Sequence, residues 1–582
     1  MKSIKKCLLL SVLIGLFVSN ALKPVETTDS EKNKLDNYTN KVKSSNSSKN
    51  QTTINTSVNN VESSAATTQA SELDSFRELV ENYTVFYEAT EAAKNGIQSK
   101  NPEAQVSALN LLRELIKKGK GFHEAIDASK IGLLSKNSDV QASALEVLSE
   151  LAKYDGGFEL IKKDKEIGKA IQSIKTTIKS KSPATQMATL KLLREFVKRG
   201  NELDEAIQIA KSIMSSASPE VKTTALELFI ELIKNYVGFN EAIQSAKYGI
   251  NSSNANTQSA ALFLFVALVK KDKGFSEAIN AIKIGIKSKN PLTQASALFL
   301  AIALVEKDEG LDEAIQAAKV GIKSNNKLTQ IYALSLFIEL VKKYKGFPEG
   351  IQAAKTGLNI DDRLIQITSL SLFMELVKKD KGFTEAIQGA ITGMKNNLIA
   401  QAHELLNILF EKNKGLNETF STAQAGINSS DTKAQTIALF LLIVLVKNNQ
   451  RINEAMQAAQ TKIKNKTPEV QNAALLLLCE LVEKDQSFDE LVKKNKIDMA
   501  IQATQDGMQS SDINIELSAL NLFKALVNKF NSLLETTPVT TKIKTWGKKI
   551  MDVGTFIEEI NGQKLQDLPE VIELQSKIET AK

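Results

Sequence analysis

The sequence predicts an all-α fold, a right-handed α-solenoid superhelix of about twelve two-helix repeats of 36 residues each. This prediction rests on three features. A sequence unit recurs from residue 72 to residue 530, apolar residues recur at helical spacing within each unit, and a polar break separates two helical halves. Because each unit buries its apolar side only against its neighbours, an array accommodates 582 residues without one large core.

The repeat is clearest in two consecutive copies. GFSEAINAIKIGIKSKNPLTQASALFLAIALVEKDE begins at Gly274, and GLDEAIQAAKVGIKSNNKLTQIYALSLFIELVKKYK begins at Gly310. The third and twelfth copies are nine residues longer than most, and the ninth is three residues shorter. The two long copies predict an additional short helix before the usual pair. The segments that predict it are FELIKKDKEIGKAIQ from Phe158 and FDELVKKNKIDMAIQ from Phe488.

Each unit predicts two helices. In the first half of the sixth unit, Ala278, Ile279, Ile282 and Ile286 follow helical spacing. The segment KNP then separates the halves, since proline is common where a helix begins. With Ile279 counted as position 1, a numbering kept for every repeat, the apolar stripe of the second half recurs at positions 15 (Thr293 in this unit), 19, 20, 22, 23, 26 and 27. So wide a stripe predicts contacts with both adjacent repeats.

Two polar columns accompany this stripe. Glutamine recurs at position 16 on the buried side, which predicts a hydrogen-bonded ladder between repeats because buried amides need partners. Glutamate recurs at position 25, about opposite the stripe. We expect it to face solvent or a groove and to pair with the lysine three or four residues later.

The spacing resembles that of armadillo and HEAT repeats over about 450 residues. In the second repeat the residues at positions 1, 15, 16, 19, 20, 23 and 26 are Ile126, Val140, Gln141, Ala144, Leu145, Leu148 and Leu151. The resemblance implies a scaffold that binds partner proteins along a solenoid groove. Armadillo proteins that bind extended peptides carry Trp at position 21 and Asn at position 25. Neither forms a ladder here, so that mechanism is not carried over.

The chain ends differ from the repeats. Residues 1–21, MKSIKKCLLLSVLIGLFVSNA, combine a basic start with an apolar run shorter than the ~20 residues that cross a bilayer. They predict a Sec-type signal peptide cut after Ala21, and hence a secreted, periplasmic or extracellular protein whose only membrane contact is the removed signal peptide. Residues 22–71 predict a disordered spacer rich in Ser, Thr and Asn, and residues 531–582 predict cap helices with a polar tail.

Known enzyme and metal motifs are missing from the sequence. His123 and His403 are the only histidines, and neither has a further His or Cys at metal-ligand spacing. There is no Gly-x-Ser-x-Gly segment and no phosphate-binding glycine loop. We expect no enzyme, no cofactor and no metal. The net charge of +7, about +4 without the signal peptide, gives no reason to expect a specific nucleic-acid partner. Cys479 lies in an apolar helix, which favours inert packing.

An apolar change on the second helix marks the candidate partner-binding surface. In repeats five, six and ten, positions 21 and 25 lose their polar residues, and aromatic residues often anchor protein partners. The candidate partner-binding residues are Phe263, Ala267, Phe299, Ala303, Tyr332, Phe440 and Val444. We expect Phe263, Phe299 and Tyr332 to form one exposed patch. The alternative is that the C-terminal segment or another region covers it.

A lysine column supports the alternative function, a structural envelope or surface protein that holds an anionic polymer or lipid head groups. Position 5 is lysine in eight successive repeats, although a solvated helix face balanced by nearby glutamates is the simpler interpretation. The candidate anion-binding residues are Lys94, Lys130, Lys175, Lys211, Lys247, Lys283, Lys319 and Lys355.

Overall fold

A computed structural model describes residues 66–82, 86–216, 218–536, 541–561 and 568–580. The predicted signal peptide and most of the predicted spacer lie outside these ranges. Residues 66–71, which the sequence assigns to the spacer, belong instead to a helix that begins at Ala66. The described residues form helices and no strand, and none of these helices is long and apolar enough to cross a membrane.

The chain divides into two compact units, 1–245 and 246–582. The first unit contains α1 (Ala66–Asn82), α2 (Phe86–Ile97), α3 (Pro102–Lys117), α4 (Phe122–Leu134), α5 (Ser138–Leu151), α6 (Asp155–Lys163), α7 (Lys165–Thr176), a 3-10 turn (Ile178–Ser180), α8 (Pro183–Lys198), α9 (Leu203–Ile213) and α10 (Pro219–Lys234). Helix α11 (Phe239–Ile250) contains the boundary between the units.

The second unit continues the same alternation of helices. It contains α12 (Ala255–Lys270), α13 (Phe275–Gly285), α14 (Pro291–Glu306), α15 (Leu311–Gly321), α16 (Lys327–Lys342), α17 (Phe347–Leu358), α18 (Arg363–Lys378), α19 (Phe383–Lys395), α20 (Ile399–Glu411), α21 (Leu416–Ile427), α22 (Thr432–Lys447), α23 (Ile452–Lys462), α24 (Pro468–Glu483), α25 (Asp485–Lys493), α26 (Ile497–Met508), α27 (Ile513–Thr536), α28 (Thr541–Asn561) and α29 (Pro569–Thr580).

Twelve helix pairs occupy the repeats that the structure describes, and we call the first helix of each pair A and the second B. The short helices α6 and α25 are the additional elements that the two long copies predict. Helix α1 packs on α3 and caps the first pair. Helices α28 and α29 pack on the last pair, where the buried Trp546 ring meets Phe530 edge-on and its Nε1 donates to Asp498 at 3.1 Å.

Local chemistry determines where the helices begin. The Asn290 side chain accepts hydrogen bonds from the backbone N–H groups of Leu292 and Thr293, so it caps α14. The turn from α12 into α13 uses Asp272 at φ 58° and Gly274 at φ 67°. Two left-handed residues so close together reverse the chain, and glycine adopts this conformation at no steric cost. The chain therefore enters the next A helix directly after each B helix.

The B helices form the centre of each unit. Helix α14 packs against α13 of its own pair, against α15 of the next pair, and against the B helices α12 and α16 on either side. Its large apolar side chains, including Leu298 and Leu300, are fully buried. After the first turn of α14, only Phe299 and Glu306 remain accessible, and they continue the line of the exposed Leu292 at intervals of seven residues.

The predicted glutamine ladder links consecutive repeats. Gln294 Nε2 donates to the carbonyl oxygen of Ser288 in its own A–B loop at 2.8 Å, and Gln294 Oε1 accepts from the Ser324 hydroxyl of the next repeat at 3.2 Å. Gln258 makes the same two contacts with Ser252 and Ser288. Each amide thus closes one loop and joins it to the next, which confirms the prediction.

We expect the substitution Gln294→Ala to lower the free energy of unfolding by about 1–2 kcal/mol, because it leaves the Ser288 carbonyl and the Ser324 hydroxyl without these partners. Urea unfolding followed by circular dichroism would measure the change. The exposed Lys319→Ala is the control, and its midpoint should match that of the parent chain. Equal midpoints for both variants would show that the ladder contributes nothing to stability.

Candidate functional site

Three B helices of the second unit bring aromatic rings together. Phe263 on α12 and Phe299 on α14 have ring centroids 6.0 Å apart, and Phe299 and Tyr332 on α16 have centroids 6.1 Å apart. We call these three residues the aromatic ribbon. The Phe263 and Phe299 side chains are half-buried, so part of each side chain remains accessible. The predicted contact among the three rings is present.

The predicted exposure of this surface needs correction. Tyr332 is 8% exposed and Ala303 is 5% exposed, while Ala267 is half-buried. In repeat ten, Val444 is fully buried, and Phe440 packs against His403 instead of joining the ribbon. The physical reason is that neighbouring B helices cover both flanks of each B helix. Position 25 therefore lies against a neighbour, although a helical wheel places it opposite the apolar stripe.

Exposed leucines extend the apolar surface beyond the ribbon. Leu292, Leu328 and Leu364 are 40%, 40% and 56% exposed, and they occupy position 14 in three successive repeats. Position 14 precedes position 21 by seven residues, about two helical turns, so both lie on the same accessible line of the B helix. Sequence reasoning missed these leucines because it counted the stripe from position 15. We call the ribbon together with Leu292 and Leu328 the apolar strip.

The described C-terminal helices do not cover the apolar strip. Helices α28 and α29 pack on α26, α27 and each other, at the terminal repeat. The accessible sides of Phe263 and Phe299 remain open in the part of the chain that the structure describes. Residues 537–540, 562–567 and 581–582 lie outside it.

The B helices of the first unit carry charges where the second unit carries apolar residues. Glu146 pairs with Arg113 and with Lys191, the latter at 2.9 Å, and Arg194 pairs with Glu227 at 2.7 Å. Burial of Glu146 raises its pKa, but the two cations beside it outweigh that effect and hold the pKa below its usual value. The charges on this surface of the first unit are paired with one another. The apolar strip is therefore a feature of the second unit.

The glutamates at position 25 form the local pairs that the sequence predicts. The six glutamates that pair with the lysine three residues later are Glu114, Glu150, Glu195, Glu231, Glu339 and Glu375. Glu480 instead pairs with Lys447 of the preceding repeat at 3.4 Å. Glu150 and Glu195 are buried, so the expectation that this column faces solvent is wrong for them. No open acidic track follows from the column.

Carboxylates of the same chain pair with half of the lysines at position 5. Lys94 pairs with Glu91 at 2.8 Å, Lys130 with Asp164 at 2.8 Å, and Lys283 with Glu313 at 3.2 Å. Lys175 is 6% exposed and lies between Glu202 and Glu205 of the next repeat, so it joins two repeats and is not accessible to a polymer. Among the described residues, four column members make no ion pair within 4.0 Å: Lys211, Lys247, Lys319 and Lys355.

A cavity of about 380 Å³ lies between the last two B helices, α24 and α27. Cys479 lines it together with Leu476, Glu483 and Lys524. Burial, with Glu483 adding to it, raises the pKa of the Cys479 thiol to about 12, so the thiolate required of a nucleophile is scarce at neutral pH. The described residues also contain no group of three or more His, Cys, Asp or Glu side chains able to hold a metal ion.

His403 is a half-buried titratable group in the irregular ninth repeat. Its ring centroid lies 6.1 Å from that of Phe440, and its Nε2 has no hydrogen-bond partner among the described residues. Burial lowers the pKa of His403 to about 4, and the positive charge of Lys447 acts in the same direction. The residue is therefore neutral at pH 7.

Comparisons with known proteins identify the architecture. No family model matches the sequence, and a comparison with curated proteins also finds no match. Importin beta is similar in structure, with a TM-score of 0.54 and 13% identity over 88% of this chain and 71% of importin beta. Kap95p, in a structure with RanGDP, gives a TM-score of 0.51 and 11% identity over 89% of this chain and 74% of Kap95p. The fold is that of a HEAT-repeat solenoid.

The chain spans only part of the length of some solved structures that it matches. Kap121p aligns with a TM-score of 0.47 and 14% identity over 91% of this chain, but the chain spans 55% of the length of Kap121p. At these identities the likeness concerns the fold alone. The expected armadillo/HEAT-like architecture is confirmed.

His403 makes a prediction about pH. The pKa of His403 is about 4 in the folded chain and near 6.5 in the unfolded chain. Between these pH values the unfolded chain therefore binds a proton at His403 that the folded chain does not bind. The contribution of His403 to the free energy of unfolding should be constant above pH ~7 and fall by up to about 3 kcal/mol as the pH drops towards 4. Urea unfolding at a series of pH values would measure it.

Two variants isolate this effect. His403→Gln and His403→Leu both remove the titrating ring, so each should reduce the pH dependence of stability between pH 7 and 4 relative to the parent chain. His403→Leu also removes the Nε2 atom, which has no hydrogen-bond partner among the described residues. A slope equal to that of the parent in both variants would contradict the assignment.

Proposed function

We propose that this chain is a non-enzymatic repeat scaffold that binds a partner protein through the apolar strip of its second unit. The contiguous rings of Phe263 and Phe299 carry the proposal, since both are partly accessible and the exposed Leu292 and Leu328 extend them. Aromatic and apolar side chains that are already partly ordered lose little conformational freedom on binding and often anchor protein interfaces.

The fold supports this mode of action. Kap95p, which shares the solenoid fold, is described in a structure as binding RanGDP, a separate protein. A solenoid offers an extended surface made of many equivalent helices, which suits recognition of another macromolecule. We extend protein binding, and no particular partner, from that comparison to this chain.

The lysine column offers weaker support for polymer binding. Carboxylates of the same chain already pair with Lys94, Lys130, Lys175 and Lys283, so a polyanion would have to displace them. Lys175 is also buried. The anion-binding role of the remaining lysines stays a prediction, and we assign the principal binding surface to the apolar strip.

We also propose that the protein is exported. Residues 1–21 support this with their basic start, apolar run and small residues before the expected cleavage point. Export would bring the solenoid outside the cytoplasm, where its partner would belong to the same compartment or to another cell.

Binding through the strip can be tested with Phe263→Glu/Phe299→Glu. A partner that covers the rings would have to desolvate the two new carboxylates, so the amount of captured partner should fall by at least about tenfold. A pull-down from the extracellular or envelope fraction, quantified by mass spectrometry, measures the loss. Raising the salt concentration should weaken but not abolish capture by the parent chain, since contact with the rings is not screened by salt.

A matched control adds the same charge elsewhere. Gln316→Glu/Gln352→Glu introduces two carboxylates at exposed positions of the A helices α15 and α17, and this variant should capture as much partner as the parent. Circular dichroism would confirm that both double variants keep their helix content. Equal capture by both variants would show that the strip is not the binding surface.

Export makes a separate prediction. The protein recovered from its native source should begin at Leu22, because the signal peptidase would cut after Ala21. N-terminal sequencing or intact-mass measurement would establish the first residue. Recovery of the chain with Met1 and Lys2 still attached, from the cytoplasmic fraction alone, would contradict export.

A further inference from the structure

We propose that the partner presents an acidic amphipathic α-helix, which lies across the B helices α12, α14 and α16 on the apolar strip. This rests on the proposed function and specifies the chemistry of the element that the strip receives. Three features carry it: the spacing of the rings, the apolar side chains at positions 21 and 25 of α12 and α14, and unpaired lysines along one edge.

The spacing of the ribbon matches one face of a helix. Its two centroid separations are 6.0 and 6.1 Å, from Phe263 to Phe299 and from Phe299 to Tyr332. Residues four apart on an α-helix advance by about 6 Å along its axis. Residues on one face of an extended strand advance by about 6.8 Å. Apolar side chains at i and i+4 of a helix therefore stay in register with the accessible rings of Phe263 and Phe299, and i+8 continues that register towards Tyr332, which is only 8% exposed.

The ribbon offers few hydrogen-bonding groups to a peptide backbone. Positions 21 and 25 of α12 and α14 are Phe263, Ala267, Phe299 and Ala303, which have no polar side-chain atoms. An extended peptide laid on them would leave backbone N–H and C=O groups unpaired at about 1–3 kcal/mol each. A helix pairs these groups internally and brings only its side chains to the strip.

The edge beside the exposed leucines is positively charged. Lys287 and Lys289 precede α14, and Lys323 precedes α16. All three lysines are exposed, and none makes an ion pair within 4.0 Å among the described residues. Asp362, in the following A–B loop, is already paired with Lys327 at 2.9 Å. Carboxylates beside the apolar stripe of a partner helix would complement the three unpaired lysines.

The opposite edge of the strip is balanced. Lys307 pairs with Asp272 at 2.6 Å, and Lys343 pairs with Asp308 at 2.8 Å. These pairs join consecutive repeats at the C-terminal ends of their B helices. The charge complementarity of the strip therefore lies on the leucine side, and it favours a helix with acidic residues along one flank.

A lipid surface fits the strip less well. Phe263 and Phe299 are half-buried between neighbouring B helices, so a flat bilayer would reach little of their area. Side chains that project from a peptide helix can contact each ring separately. We therefore assign the strip to a peptide helix and treat binding to anionic vesicles as an outcome of the test.

The test uses the full chain and three fluorescent peptides of about 18 residues, five helical turns. One has leucines at i, i+4 and i+8 with glutamates along the flanks, the second has lysines in place of the glutamates, and the third is a scrambled form of the first. Fluorescence anisotropy should show that the acidic helix binds at least about tenfold more tightly than either of the others.

Variants of the chain locate the contact. Phe299→Glu should weaken binding of the acidic peptide by at least about tenfold, and Lys287→Glu/Lys289→Glu should remove its advantage over the basic peptide. The matched control is Lys464→Glu/Lys466→Glu, which reverses two exposed lysines at the same loop positions of repeat eleven and should leave the affinities unchanged. Circular dichroism would verify the fold of every variant.

Three results would overturn the inference. The first is that the basic or scrambled peptide binds as tightly as the acidic peptide or more tightly. The second is that Phe299→Glu leaves binding of the acidic peptide unchanged. The third is that the chain binds vesicles of anionic phospholipid through Phe299 and does not bind the acidic peptide. The pull-down distinguishes the two proposals. If Phe263→Glu/Phe299→Glu loses a captured protein while the acidic peptide fails to bind, protein binding stands and the acidic helix is rejected.

Discussion

The structure depends on the packing of each B helix between the B helices of its two neighbours. Helix α14 illustrates it, with α12 on one side and α16 on the other. Apolar residues therefore cover most of its circumference, and one repeat alone would expose both flanks to water. The same packing leaves an accessible line through Leu292, Phe299 and Glu306, so any recognition by this B helix is confined to it.

Several polar groups in the repeats hold consecutive repeats in register. Gln294 joins its own loop to Ser324 of the next repeat, and Lys175 joins its repeat to Glu202 and Glu205. A column of like residues therefore does not by itself make a binding surface. The charges left unpaired beside the apolar strip are more informative about a partner, because no residue of the described chain neutralises them.

The two units use the same helix positions for different chemistry. In the first unit, Glu146 lies between Arg113 and Lys191 and closes an ionic network. In the second unit, Phe263 and Phe299 occupy the equivalent position 21. Because position 21 is on the accessible line in both, its residue can change without loss of the core. A repeat protein can specialise one part of its surface in this way while the buried positions stay alike.

The amino-acid pattern is sufficient to predict the repeat, the two helices of each pair, the extra helices α6 and α25, and the glutamine ladder. These features follow from periodicity and local chemistry, which act within one helix or one loop. The pattern does not show that Tyr332 and Ala303 are covered or that Leu292 is exposed, which the packing of the repeats determines. A helical wheel gives the direction of a side chain from its own axis. Whether a neighbouring helix lies in that direction depends on how repeats stack, and that information is not contained in one helix.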